Sequence, residues 1–171
     1  MAKEILAELR AGDSVGLSGT IYTARDAAHA RLFETLDAGD ELPLRLPGSV
    51  IYYCGPAPTP PGRAIGSAGP TTSYRMDSFA PRLYELGVAA TIGKGDRSMP
   101  VREACKQYGC VYLVAVGGAG ALLAERITKA EVIAYPELGP EAIRRLTVAA
   151  FPALVAYDVT GGSVFPNDEP I

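Results

Sequence analysis

Apolar and polar positions along this chain follow two periods, and the period switches repeatedly from one end to the other. Residues 14 to 20, SVGLSGT, alternate with period two and predict a strand. Residues 24 to 39, ARDAAHARLFETLDAG, place apolar side chains at helical spacing and stop at a glycine, which predicts a helix with a C-terminal cap. GSVIYYCGP, 48 to 56, is a β-rich apolar run between Gly and Pro, a buried strand. From residue 77 the elements succeed one another regularly: a helix over 77 to 87, a strand over 88 to 93, and a helix over 98 to 109. In that last helix Ser98 is the expected N-cap and Pro100 falls in the first turn. A strand buried on both faces follows at 110 to 116, then a helix over 118 to 127 and a strand over 130 to 138. A short helix over 139 to 148 and a last strand over 152 to 161 complete the pattern. Strands alternating with helices predict an α/β fold, with a partly parallel, mixed sheet and flanking helices.

Between the two patterned regions lies APTPPGRAIGSAGPTTS, 57 to 73, which has no period and is rich in Pro and Gly. A loop of that length inside a domain is uncommon and usually functional. Its end, TTSYRMD, is the informative part. A surface turn needs Gly, Pro and Ser, but not two adjacent threonines four residues ahead of an arginine. With a helix starting near residue 72, the backbone N–H groups of 69 to 73 would point outward at the positive end of a helix dipole. Thr71, Thr72 and Arg75 would then complete a carboxylate or phosphate cradle. The structural alternative is a threonine cap, with Arg75 paired to Asp77 or Glu85.

Composition narrows the field. A length of 171 residues suits one domain over 1–171, with 1–9 and 166–171 loosely ordered. Apolar residues make up 48%, charged residues 20%, and the formal charge is −3 with no basic run, which speaks against nucleic-acid or anionic-membrane binding. No apolar stretch reaches the roughly 18 residues of a membrane span, and the N-terminus lacks a signal-peptide run. The expected location is cytoplasmic. Three cysteines, Cys54, Cys105 and Cys110, argue against a disulfide framework and read as core positions without the short spacing of a metal cluster.

Other loops offer further chemistry. TIGKGDRS, 91 to 98, sets Lys94 and Arg97 ahead of a helix, where two cations suit a dianion. It fails as a phosphate-binding P-loop, because Gly95 stands where magnesium needs Ser or Thr. YTARDAAH puts Arg25 at a helix start, against the dipole, which hints at an anionic ligand or partner charge. His29, the one histidine, reads as a packing or surface residue more than as a base. VYLVAVGGAGALLAE runs a strand into Gly117, Gly118 and Gly120, with Glu137 downstream, and so raises a dinucleotide site. Leu123 replaces the third glycine of that fingerprint, and a tight strand–helix turn explains the glycines equally well.

Taken in order, GDSVGLSGTIYTARDAAHARL, IYYCGPAP, PPGRAIGSAGPTTSYRMDSFAPRLYELG, IGKGDRS, VREACKQYG, VGGAGALLAERI and EVIAYPELGPEAIRRL resemble the β subunit, or C-terminal domain, of the iron–sulfur class I fumarase and L(+)-tartrate dehydratase family. The resemblance covers about residues 10 to 160. It implies a swivelling β/β/α domain of the fumarase C-terminal type. It implies a [4Fe–4S] cluster supplied by a separate α subunit, with no metal bound by this chain, and an α2β2 assembly. The implied reaction is reversible loss of water from a 2-hydroxy dicarboxylate, such as malate or tartrate. By motif, Arg25, Arg75 and Lys94 would grip the carboxylates. Thr71 would lie beside the substrate carbon, for proton transfer or positioning, with Arg97, Thr72 and the Gly69 backbone in support. Tyr74 is bulkier than that pattern leads one to expect, which leaves substrate identity open. Cys54 stands in place of a plain apolar residue. A different class of reading is a non-catalytic module that binds a small acid or a dinucleotide on the GGAG turn.

Overall fold

A computed structural model describes residues 3 to 116 and 118 to 166. In chain order its elements are α1 (Lys3–Glu8), β1 (Ser14–Thr23), α2 (Asp26–Ala38), β2 (Val50–Tyr52), α3 (Ala80–Glu85), β3 (Ala90–Gly93), α4 (Met99–Tyr108), β4 (Val111–Val114), α5 (Gly120–Ala124), β5 (Ile127–Ala134) and β6 (Ile143–Tyr157). Short 3-10 turns lie at Ser73–Met76 and Pro136–Glu141.

The strands lie in the order β1-β2-β3-β4-β6-β5. The first four run parallel, and β6 runs antiparallel to both β4 and β5. β6 also pairs antiparallel with β1, from Ser14↔Leu154 to Tyr22↔Arg145. Fifteen extended residues span about 50 Å, enough for one strand to serve three neighbours. Hydrogen bonds therefore run in a closed circuit through β1, β2, β3, β4 and β6. The long strand bends where Ala150 takes φ +48 and donates its amide to Ser18 Oγ (3.0 Å), opposite the register shift between Leu17 and Gly19.

Alternation along the strands divides the core in two. In β2 and its extension, Val50, Tyr52 and Cys54 enter one cluster, with Ile92, Leu113, Leu146 and Phe151. Ile51 and Tyr53 enter the other, packed against Leu32 of α2, Leu83 of α3 and Val101 and Cys105 of α4. Parallel strands covered on both faces read as continuous apolar runs, which is why β2 and β4 were legible. The mixed sheet with flanking helices agrees with the expected α/β pattern.

Three expectations are corrected. Residues 139 to 148 are not a helix: Pro136–Glu141 is a 3-10 turn and β6 begins at Ile143. There Ile143, Leu146 and Val148 are buried between outward polar residues, and β-branched side chains pack well on a pleated surface. The helix expected over 118 to 127 shrinks to five residues, because Ile127 already opens β5. The strand expected over 130 to 138 is Ile127–Ala134, because Pro136 and Leu138 already belong to the 3-10 turn. Ahead of β1, Lys3–Glu8 forms α1, with Leu6 buried in the first cluster. Residues 167 to 171 of the expected loose tail lie outside the described residues, as does Gly117.

Candidate functional site

The parallel strands β1 to β4 end on the same side of the sheet, and the chemistry-bearing loops leave from there. Arg25 follows β1, Lys94 follows β3, and the threonine loop is laid across the ends of β2 and β3. Cys54 bridges Pro70, the Thr71 amide donates to Tyr53 O (2.7 Å), and Thr72 bridges Lys94. The Ser73 amide donates to Lys94 O (3.0 Å), and Ser73 Oγ accepts the Lys94 amide (3.0 Å). The Tyr112 hydroxyl is bonded to that same Oγ (2.8 Å) and donates to Gly95 O (2.7 Å). A rigid loop of this kind holds its exposed groups in place.

Gly93 and Gly120 make the loop's seat possible. A Cβ on Gly93 would sit 1.8 Å from Ser73 Oγ, so only glycine lets the loop lie against β3. Gly69 and Gly120 pack back to back, a Cβ on Gly120 falling 2.9 Å from the Gly69 amide, while the Ala68 amide donates to Gly120 O (3.0 Å). Gly120 is thus explained by contact with the threonine loop. The dinucleotide reading of the GGAG turn fails on topology, because β5 pairs antiparallel with β6 instead of lying parallel beside β4. Glu137 sits in a 3-10 turn bonded to Arg31 (3.1 Å). A ribose acid needs the end of a neighbouring parallel strand.

Arg25 and Arg75, fifty residues apart, converge on one carboxylate. Arg75 Nε donates to Asp26 Oδ1 (3.0 Å), and Arg25 Nη2 lies 3.8 Å from Asp26 Oδ2. Glu141 joins from the 3-10 turn before β6. Its Oε1 is 3.6 Å from Arg25 Nη2, and its Oε2 accepts the Ala27 amide (2.9 Å), capping α2. That cap offsets the awkward cation at the helix start. Gly55 leaves room for the guanidinium: a Cβ there would meet Arg25 Nη1 at 2.8 Å. An open recess of about 220 Å³ between Pro56, Pro58, Pro140 and Arg144 lies alongside. Lys94 is exposed, with no ion pair among the described residues. The Thr71 and Thr72 hydroxyls are half-buried and make no hydrogen bond among the described residues.

Arg97 does not join this wall. Its side chain is fully buried, donates through Nε to Asp77 Oδ1 (2.5 Å), and lies over the Tyr53 and Tyr112 rings. Asp77 also accepts the Ser98 amide (2.6 Å), so the N-terminus of α4 is already served by the protein's own carboxylate. The dianion pocket expected from Lys94 with Arg97 is therefore not formed, nor is the Ser98 side-chain cap. The outward amides expected over 69 to 73 are partly spent as well. Those of Thr71 and Ser73 hold the loop, and Ser73–Met76 is a single 3-10 turn too short to carry a useful dipole.

His29 is packing, as its apolar neighbours suggest. It stacks on Phe79, meets Tyr53 edge-on, and donates Nδ1–H to Arg25 O (2.7 Å). Burial holds its imidazole down at about 4, although the Arg25 bond works in the opposite direction. Glu141, Ser73, Tyr112 and Gly55 went unread in the sequence. Only Ser73, adjoining the two threonines, carried a local signal.

The cysteines do not fit a metal cluster. Cys54 lies in one core and Cys105 and Cys110 in the other, and burial pushes the Cys54 and Cys105 thiols up to about 12. Among the described residues no group of three His, Cys, Asp or Glu is placed to hold an ion. No helix among them is long and apolar enough to cross a membrane.

Fold and site together define a mixed α/β protein that presents two arginines, a lysine and two threonine hydroxyls at the carboxyl ends of its parallel strands. The model of the fumarase C-terminus family matches residues 1–168, and the chain belongs to that family. It is 46% identical over 168 residues to "Fumarate hydratase class I, anaerobic" of Escherichia coli (strain K12), covering 95% of this chain and 31% of that protein. It is 42% identical over 165 residues to "Fumarate hydratase 2" of Leishmania major, covering 95% of this chain and 29% of that protein. It is 38% identical over 171 residues to the "Putative L(+)-tartrate dehydratase subunit beta" of Methanocaldococcus jannaschii, covering 96% and 88%. The chain thus spans under a third of the fumarate hydratases and most of the β-subunit relative.

Proposed function

We propose that this chain is the substrate-clamping β subunit of an iron–sulfur-dependent hydro-lyase of the fumarate hydratase or tartrate dehydratase type. In this reading it is a single swivelling β/β/α domain that acts on a 2-hydroxy dicarboxylate. The [4Fe–4S] cluster belongs to a separate α subunit, since this chain's thiols are unsuited to one, and the assembly is α2β2. The observation that carries the reading is the convergence of Arg25 and Arg75 on Asp26, beside a loop tied to Lys94. Arg25 and Arg75, which share no local sequence, meet at one carboxylate, and this supports a common cationic wall.

Arg25, Arg75 and Lys94 take the substrate carboxylates, and Arg75 keeps its terminal nitrogens for a bidentate grip. Fixing both ends of a dicarboxylate orients the carbon between them, which supplies several kcal/mol toward the barrier in well-positioned reactions. Thr71 lies at that carbon, for proton transfer or for a positioning hydrogen bond. Thr72 and Gly69 shape the loop, and Arg97 anchors it from below.

An open cationic wall needs a lid, and the surface around it supports a protein partner. Tyr74 and Val116, in the segments that follow β2 and β4, are 65% and 71% exposed, and Met99, which opens α4, and Leu122, in α5, are 59% and 67% exposed. Large exposed apolar side chains favour a partner that covers them.

The test is co-expression with the candidate α subunit under anaerobic conditions, followed by assay on fumarate, malate, tartrate and mesaconate. Hydration or dehydration of one of these acids by the complex, and not by either chain alone, is the expected result. A complex that forms, carries its cluster and turns over none of them would remove the proposal.

A further inference from the structure

The guanidinium wall raises a question that its proposed ligand does not answer: what keeps it in shape before a ligand arrives? Arg75 stands on a four-residue 3-10 turn with 44% of its side chain exposed, and a long flexible stem in that setting loses rotamer entropy whenever it is fixed. Its contact among the described residues is Nε to Asp26 Oδ1 at 3.0 Å. That bond uses the side of the guanidinium and leaves both terminal nitrogens directed away from the stem, the pair that forks onto a carboxylate. Asp26 is itself held at the first residue of α2, next to Arg25, and its Oδ2 is buried with no hydrogen-bond partner. Arg25 Nε is also buried without a partner. An acid built only to neutralise Arg25 would close the 3.8 Å gap between Arg25 Nη2 and Asp26 Oδ2 and so satisfy that oxygen.

We infer that Asp26 is a positioning residue, which aligns Arg75 through its Nε so that the terminal nitrogens of Arg75, with Arg25 beside them, form a preorganised carboxylate fork. The inference rests on the clamping role proposed above but can fail separately from it. Two roles for Asp26 make opposite forecasts. A bare counter-charge competes with an anionic ligand, so its removal strengthens ligand binding. An aligning group raises affinity by fixing Arg75, so its removal weakens binding although the wall becomes more positive, with Glu141 the acid left within ion-pair distance of Arg25 among the described residues.

The experiment uses the full chain labelled with 15N-arginine, and succinate as the probe, a dicarboxylate with no hydroxyl to lose and no double bond to hydrate. The Arg75 Nε–H signal, assigned by its disappearance in Arg75→Lys, is expected to be shielded from solvent exchange in the parent chain. It merges with the freely exchanging arginines in Asp26→Ala and stays shielded in Asp26→Asn, whose amide oxygen still accepts the bond. Succinate affinity falls about tenfold in Asp26→Ala and is kept or improved in Asp26→Asn. Should Asp26→Ala not fold, Asp26→Ser, too short to reach Arg75, replaces it. Shielding that persists in the short variant, or is lost equally in Asp26→Asn, overturns the inference, as does tighter succinate binding by the short variant. A parent chain with a shielded Arg75 that ignores succinate counts against the clamping role and leaves the alignment standing.

Discussion

Arg75 and Arg97 occupy comparable places in the chain, each in a short connection near a helix start, yet they do opposite work. Arg97 is enclosed, with its Nε on Asp77 and its plane over two tyrosines. Nearby, Arg102 reaches both oxygens of Asp96 (2.8 and 2.9 Å) and lies over Tyr157, whose hydroxyl also bonds Asp96. Arg75 is outward, with one nitrogen spent and the terminal pair toward solvent. A cation whose partners are complete holds the fold, and one left partly unfulfilled can bind something else. Exposure and partner count separate the two, whereas residue type and motif do not.

Breaking the enclosed member of the pair is expected to have the largest effect. Arg97→Leu strands the Asp77 carboxylate and should cost about 3–5 kcal/mol of stability, read as a lower urea midpoint. Arg75→Ala should change stability by no more than about 1 kcal/mol, because its ion pair is half exposed. If the two variants lose stability equally, the contrast collapses.

His29 lies between the two regions, bonded to Arg25 O and within the field of Arg97. Its folded value of about 4 lies below the ordinary 6.5, so between those limits the unfolded chain binds a proton that the native chain refuses. Stability is therefore whole above about pH 6.5 and falls by about 3 kcal/mol as the pH drops to 4. A His29→Gln variant should flatten that slope in urea titrations at pH 7 and 4.5.

On the outward side, Arg75→Ala should lower kcat/KM of the proposed complex by about 100-fold with little change in melting temperature. Near-normal turnover would return Arg75 to the status of a surface residue. The smallest effect is expected from Gly55→Ala. Its Cβ meets Arg25 Nη1 at 2.8 Å and Arg25 Cδ at 3.2 Å, with Pro140 O at 3.4 Å, so Arg25 must shift: KM should rise about three- to tenfold while stability falls by about 1 kcal/mol.

The central parallel strands β2, β3 and β4 were legible because both faces are buried, and burial on two sides leaves an uninterrupted apolar signature, whereas β1, largely exposed, was legible by its alternation. The start of β6 was not, because IRRLTV satisfies a helical spacing as readily as an alternating one, and pairing with β1 and β5 decided between them. The loop motifs pointed to Arg25, Thr71, Arg75 and Lys94, and the structure gathers them at one end of the sheet. In second rank they pointed to Arg97 as well, which the fold turns inward.

Local chemistry along the chain determined which segments can bury a face, where turns must fall, and which loops hold more polar groups than a turn needs. Tertiary structure alone decided which of those groups are already satisfied. Asp77 reaches Arg97 from twenty residues away, and Glu141 reaches the start of α2 from 114. The reason is physical: a charge is free to bind only if nothing else has bound it, and its rivals are set by folding distance, not by position in the chain.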